Sequence, residues 1–211
     1  MKILLLNPPR SPENKILEYA PREAKHFIHK KLIGPPLGLL TVASAVKDFD
    51  VTLIDMKGEY DLIPDSPPLK ELTLNYLKLH NPDILGVTFI ASEFDYGIEI
   101  FKTAKEFNPE ILTVAGGLHT TIRTSDFNNK YVDIVAPGQS AGIFREIVIA
   151  KEKNTSFNLI GGIFFKKGND LIQTNVHVKQ WNSAADNFIM PDRSLLNRWI
   201  STYKVGKNKF P

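Results

Sequence analysis

The chain has 211 residues, 43% of them hydrophobic and 23% charged, with a net charge of +3 and no cysteine. Such a chain reads as globular and fills one large domain, or a domain with an extension. Its Lys and Arg are spread along the sequence, which leaves non-specific nucleic-acid binding little to rest on. The lack of cysteine removes disulfides, thiolate metal sites, iron-sulfur ligation and cysteine nucleophiles from this chain.

The first run, KILLLN at 2 to 7, is apolar throughout and stops at Asn7-Pro8-Pro9. It is too short for a signal-peptide core and suits a buried strand. No apolar run approaches the roughly 20 residues that span a bilayer, so a cytoplasmic location is the default expectation. A basic cluster, KHFIHKK at 25 to 31, reads as a solvated loop or helix end with phosphate contact as the alternative.

Prolines suited to a first turn open a helical stretch at 35 to 48, with Leu39, Val42, Ala43 and Val46 on one stripe. DVTLID at 50 to 55 predicts a second strand, and 67 to 80 a helix with Leu69, Leu72, Tyr76 and Leu79 on its apolar face. A third strand is expected in 83 to 90, followed by a helix at 94 to 107 with Asp95 as N-cap. Strands at 110 to 117 and 132 to 138 and a helix at 139 to 153, carrying Ile143, Phe144, Ile147 and Val148, complete the series. Strand runs without a polar face belong to a parallel sheet covered on both sides. The fold class predicted is therefore α/β, a Rossmann-like (flavodoxin-like) doubly wound parallel sheet of about five strands.

After Lys153 the pattern changes. Residues 159 to 174 alternate around Lys167-Gly168-Asn169-Asp170, a hairpin signal, and 190 to 200 predict a short helix opened by Pro191-Asp192. The remainder is polar and has no core of its own. The division expected is a domain over 1–153 and a hairpin and linker extension over 154–211.

In a doubly wound sheet ligands bind outside the carboxyl ends of the strands. Asn7-Pro8-Pro9-Arg10, Asp55-Met56, Ala91-Ser92-Glu93, Gly116-Gly117-Leu118-His119 and Pro137-Gly138-Gln139 all fall there. The sequence has no Gly-x-Gly-x-x-Gly after its first strand, no phosphate loop, no nucleophile elbow and no paired-histidine metal motif. What remains is bare backbone at several strand ends, which suits a flat or extended cofactor.

Taken in order, ILLLNPPR, GPPLGLLTVASAVKD, VTLIDM, the stretch PDILGVTF through AGGLHTT, VDIVAPG and MPDRSLL resemble the N-terminal cobalamin-binding domain of the cobalamin-dependent radical SAM enzymes. The resemblance covers roughly residues 1 to 200. It implies that cobalamin lies at the strand ends with its nucleotide tail beside the sheet. Thr88, Ile90, Ala91 and Ser92 then match the segment lining the tail, and Gly116 and Gly117 match a double glycine whose missing side chains admit it. Asn7, Pro8, Pro9, Gly34, Pro35, Leu37 and Gly38 match positions near the corrin, and Leu118, His119, Gly138 and Gln139 complete the implied cofactor-binding set.

The Asp-x-His-x-x-Gly loop that supplies a cobalt-ligating histidine in classical cobalamin domains is absent, so no such ligand is expected. Gly138-Gln139 stands where the family has Gly-Glu. The resemblance also implies a following radical SAM domain with a three-cysteine iron-sulfur cluster and S-adenosylmethionine. Neither is expected in this chain, which ends at Pro211 and reads as one domain of a longer methyltransferase- or cyclase-type enzyme. A stand-alone flavin or nucleotide binder using the same crevice, and a pure interaction domain, are the alternatives.

Overall fold

A computed structural model describes residues 1–9, 34–63, 65–174, 189–200, 203–205 and 208–209. The basic cluster at 25 to 31 lies outside these residues. Strands β1 (Lys2–Asn7), β2 (Asp50–Asp55), β3 (Ile84–Thr88), β4 (Leu112–Gly116) and β5 (Ile134–Val135) form a parallel sheet in the order β2-β1-β3-β4-β5. This is the predicted doubly wound arrangement, and its order reverses between β1 and β3. Leu4, Leu5 and Leu6 have no exposed surface, because helices cover both faces of the central strand.

Helix α1 (Leu37–Ala45) returns the chain from β1 to β2, α2 (Met56–Leu62) and α3 (Leu69–His80) lead to β3, and α4 (Phe94–Phe107) leads to β4. The short α5 (Leu118–Ile122) follows β4 and α6 (Ala141–Glu152) follows β5. Right-handed crossovers put α1 and α6 on one face and α3 and α4 on the other, and each pair packs together. The α1–α6 contact is fixed by Arg145, whose guanidinium donates to both Asp48 oxygens at 2.5 and 2.8 Å and to the Ala45 carbonyl at 2.8 Å.

Four details depart from the sequence reading. Asp95 lies inside the first turn of α4 and caps nothing; Glu93 holds the N-cap position, without a side-chain cap bond. Leu79 is 73% exposed, and Thr73 and Leu77 are buried on α3 instead. The stretch after β2 is helical from Met56, started by the Asp55 side chain accepting from the Lys57 amide. In the 190 to 200 stretch only Arg193–Leu196 is helical, as a single 3-10 turn capped by Asp192.

The hairpin forms as its turn residues predict. Strands β6 (Phe164–Lys167) and β7 (Asp170–Gln173) meet at Gly168-Asn169, with Gly168 at φ 65°. They continue the sheet beyond β5 in antiparallel sense, making seven strands. A separate two-stranded ribbon, β8 (Lys204–Val205) and β9 (Asn208–Lys209), lies near the end of the chain. Leu196, Trp199 and Tyr203 of the polar-looking tail are buried in the same core as the sheet.

At the amino edge of the sheet, Lys105 donates to Asp133 at 2.6 Å and to the Pro109 and Ile111 carbonyls at 3.1 and 2.7 Å. The same Asp133 oxygen accepts from the amide and hydroxyl of Thr113. This network holds β4, β5 and α4 together far from the carboxyl edge.

Candidate functional site at the carboxyl edge

The carboxyl ends of β1, β3 and β4 lie side by side. Leu6 is in register with Val87 and Thr88 with Gly116, which brings Asn7, Thr88 and Gly116 to one edge. Each loop leaving that edge carries part of the predicted set. Gly34, Leu37 and Gly38 at the start of α1, Ile90, Ala91 and Ser92 after β3, Leu118 after β4, and Gly138 and Gln139 after β5 are all exposed. Pro35, Thr88, Gly116, Gly117 and His119 are half-buried, and Asn7, Pro8 and Pro9 are buried beneath them.

Two physical features mark this edge. A Cβ added at Gly34, Gly38 or Gly138 would meet nothing within 4 Å, so the backbone there borders open space. Large apolar side chains stand unburied around it: Leu37 is 45% exposed, Ile90 40%, Leu118 63% and Ile122 65%. Thr121 accepts from the Gly138 amide at 2.8 Å and joins α5 to the loop after β5.

Gly117 has a different task. At φ 99° and ψ −174° it occupies a region open essentially to glycine alone. A Cβ there would lie 2.7 Å from the Phe89 nitrogen, the Phe89 oxygen and the Thr88 hydroxyl. The neighbouring backbone completes the contact, with Phe89 donating to the Gly116 carbonyl at 2.8 Å and His119 donating to the Phe89 carbonyl at 3.0 Å. The bareness of Gly117 admits the chain's own β3 extension.

The His119 ring packs against Phe94 and Phe127, with centroids at 5.2 and 5.5 Å, and its Nε2 lies 3.0 Å from Asp126. The side chain is only 12% exposed. Phe89 joins the same aromatic group, edge-on to Phe127 at 4.9 Å. Among the described residues no three His, Cys, Asp or Glu side chains gather as a metal site.

At the β1 and β2 ends lies a group of buried carboxylates, of which the sequence reading named Asp55 as a strand-end residue and passed over Glu59. Asp55 has no exposed surface; its Oδ1 accepts from Asn7 Nδ2 at 2.7 Å and its Oδ2 from the Tyr203 hydroxyl at 2.7 Å. Burial pushes the Asp55 carboxyl above the usual carboxylate range, against the pull of Tyr203 and Asn7. Glu59 on α2 accepts from Arg198 Nε, from Arg198 Nη2 at 3.0 Å and from Trp199 Nε1 at 2.6 Å. Burial alone would raise the Glu59 carboxyl, but the donors from Arg198, Trp199 and Tyr76 outweigh it and hold the group below its ordinary range. Lys57 pairs with Glu93 at 2.7 Å and links the start of α2 to the turn after β3.

A single local signal in the sequence hints at this group: Asp55 follows the buried apolar pair Leu53-Ile54 at the carboxyl end of β2. Its partners lie 48 and 148 positions away, beyond any local pattern.

A family model described as B12 binding domain matches residues 27–148. The chain belongs to the B12-binding domain family. It is 30% identical over 174 residues to an uncharacterized methyltransferase, PH0819, of Pyrococcus horikoshii, covering 79% of this chain and 33% of that protein. It is 27% identical over 180 residues to the anaerobic magnesium-protoporphyrin IX monomethyl ester cyclase of a Synechocystis species, covering 82% and 32%. The chain thus spans about a third of the length of these curated relatives. Among solved structures it resembles the radical S-adenosylmethionine methyltransferase TsrM of Kitasatospora setae, determined with cobalamin and a [4Fe-4S] cluster bound. The TM-score is 0.62 at 17% identity, over 82% of this chain and 31% of that one. At that identity the likeness is one of fold, and it is the fold the sequence predicts.

The residues of this B12-binding domain fit its family's cofactor. Cobalamin, a broad corrin with a nucleotide tail, needs unobstructed backbone and apolar contact. Gly38 and Gly138 give the first, and Leu37, Ile90, Leu118 and Ile122 the second.

Proposed function

We propose that this chain is the cobalamin-holding module of a radical SAM enzyme of methyltransferase or cyclase type. The observation that carries the reading is that loops leaving the carboxyl edge of a B12-binding domain carry both unobstructed glycines, Gly38 and Gly138, and exposed apolar side chains, Leu37, Ile90 and Leu118. On this reading Gly34, Pro35, Leu37 and Gly38 border the corrin, above Asn7, Pro8 and Pro9. Thr88, Ile90, Ala91, Ser92, Gly116, Leu118, Gly138 and Gln139 border its nucleotide tail. Gly117 and His119 belong to the same wall and act by shaping it, the first through Phe89 and the second through Asp126 and the aromatic group.

Bound there, cobalamin supplies a cobalt centre able to carry a methyl group. The chain's own residues bind it, orient it and keep water from its buried side. Iron-sulfur and S-adenosylmethionine chemistry belongs, on this reading, to another domain of the same enzyme, and the setting is the cytoplasm. Residues 1–153 are the cofactor-holding domain, and 154–211 the extension toward that partner domain.

The test is retention of the corrin chromophore after mixing with hydroxocobalamin and desalting. A folded chain is expected to keep visible absorbance at close to one equivalent. A folded chain that keeps none, or that is stabilised more by FMN than by hydroxocobalamin in a thermal-shift panel, overturns the reading.

A further inference from the structure

The described tail residues, Asp192 to Ile200 and Tyr203, form a strap beside the carboxyl ends of β1 and β2, with Leu196, Trp199 and Tyr203 buried. Its start is tied to α1, where the Asp192 amide donates to the Ser44 hydroxyl at 2.9 Å. Trp199 lies in a slot that exists because residue 58 is glycine: a Cβ there would fall 2.6 Å from the indole. Arg198 and Trp199 both donate to Glu59, and Tyr203 donates to Asp55.

Asp55 is where the strap and the cofactor edge meet. Asn7 and Asp55 are register partners at the last positions of β1 and β2, so their side chains reach each other without spanning a loop. One carboxylate oxygen is taken by Asn7 and the Lys57 amide, the other by Tyr203, and no water-exposed surface is left. A buried carboxylate that loses one of its donors turns toward another partner or takes a proton, since unpaired charge is not tolerated there. Either response weakens its hold on the other donor.

We propose that Asp55 is a positioning residue: it fixes Asn7, and with it the Asn7-Pro8-Pro9 turn under the crevice, only while Tyr203 of the strap occupies its second oxygen. Attachment of the strap is thereby sensed at the cofactor edge. A pull on the strap from whatever follows it in the chain loosens the floor beneath the corrin. The part of this inference that concerns cofactor affinity rests on the cobalamin reading above; the part that concerns Asn7 does not.

The experiment uses the whole chain in two arms. In the first, without cofactor, hydrogen exchange of the Asn7 side-chain amide is followed by NMR in the wild type, Tyr203→Phe and Lys105→Met. Lys105→Met disturbs the amino-edge network and serves as the control for general loosening. Tyr203→Phe is expected to speed exchange about tenfold, the weight of one hydrogen bond to a charged group, and Lys105→Met to leave it unchanged. No change in Tyr203→Phe, or equal acceleration in both variants, overturns the proposal.

In the second arm hydroxocobalamin affinity is titrated. A loss of about tenfold in Tyr203→Phe, converted from the same hydrogen-bond weight, supports the link to the crevice. Wild-type affinity in that variant overturns it. A wild type that binds no corrin defeats the cobalamin reading, while the amide arm still decides the Asn7 claim. Should Tyr203→Phe not fold, Asp55→Asn, which keeps the shape of the side chain and removes its charge, is read in the same two arms, and unchanged Asn7 exchange in it overturns the proposal.

Discussion

Gly117 and Phe89 touch backbone to backbone: a Cβ on residue 117 would lie 2.7 Å from both the nitrogen and the oxygen of residue 89. Gly117→Ala therefore combines a forbidden backbone conformation with a clash that no rotamer relieves. Each effect costs roughly 1–3 kcal/mol, so the loss in urea denaturation is expected to exceed about 2 kcal/mol. Gly117→Val is expected to fail as a folded protein before any effect on a ligand is measurable. An Ala variant with wild-type stability would show that the contact relaxes freely.

Gly38 is the opposite case, a helical glycine in open space. Gly38→Ala is expected to raise stability by up to about 1 kcal/mol through helix propensity. Gly38→Phe is expected to leave the unfolding midpoint near that of the wild type and to weaken hydroxocobalamin binding at least about tenfold, or 1.4 kcal/mol. Unchanged affinity in the Phe variant would place the corrin elsewhere.

Trp199 is 2% exposed although it lies in a tail that reads from sequence as having no core of its own. Trp199→Ala is expected to cost about 3–5 kcal/mol in chemical denaturation. It is also expected to open the Arg193 and Arg198 bonds to trypsin, which in the wild type are protected by the docked strap. Equal cleavage of both proteins would show that the strap is detached in solution.

Five of the strands and the hairpin were legible because they depend on short-range rules. A strand buried on both faces has to be apolar throughout, and Gly168-Asn169 has few conformations other than a tight turn. Helix α2 was not legible, because Gly58 spoils its propensity and the reason for that glycine is an indole 141 positions further on. At the site, the open glycines were readable from loop position, whereas the exposure of Leu37, Ile90, Leu118 and Ile122 depends on how the loops fold. Gly117 was assigned to the right edge but for a different neighbour, since a sequence does not say whether bare backbone faces a ligand or another strand. The Asp55 and Glu59 group needed the tertiary fold to exist at all.

The two buried carboxylates give opposite pH dependences. The Glu59 carboxyl lies below its ordinary range in the fold, so its contribution is present above the unfolded pKa and is lost as pH falls through the folded value. Asp55 is raised, so its contribution is largest below the unfolded pKa and is lost as pH rises through the folded value. The stability difference between wild type and Glu59→Gln is therefore expected to shrink on acidification below about pH 4.5, the ordinary glutamate range. That between wild type and Asp55→Asn is expected to grow as pH falls from neutrality. Denaturation midpoints across pH 3 to 8, about the range in which carboxylates titrate, check both signs.

His119→Phe separates the aromatic role of this residue from its polar contact with Asp126. The ring packing with Phe94 and Phe127 survives the change and the Asp126 contact does not. The expected stability loss is about 1 kcal/mol or less, and the visible spectrum of bound hydroxocobalamin is expected to match that of the wild type. A spectral shift confined to this variant would mean that the ring reaches the metal.

Beyond β5 the sheet changes direction, and what it ends on is β7, four residues long with Asp170 and Gln173 exposed and Gly168 turning it back on β6. A free strand edge invites a second chain to dock by continuing the hydrogen-bond ladder, and natural sheets blunt that invitation with short, polar last strands. The hairpin acts in this way as a stopper: it offers a docking strand only a four-residue ladder flanked by exposed Asp170 and Gln173, with Ile172 the one exposed apolar side chain on it.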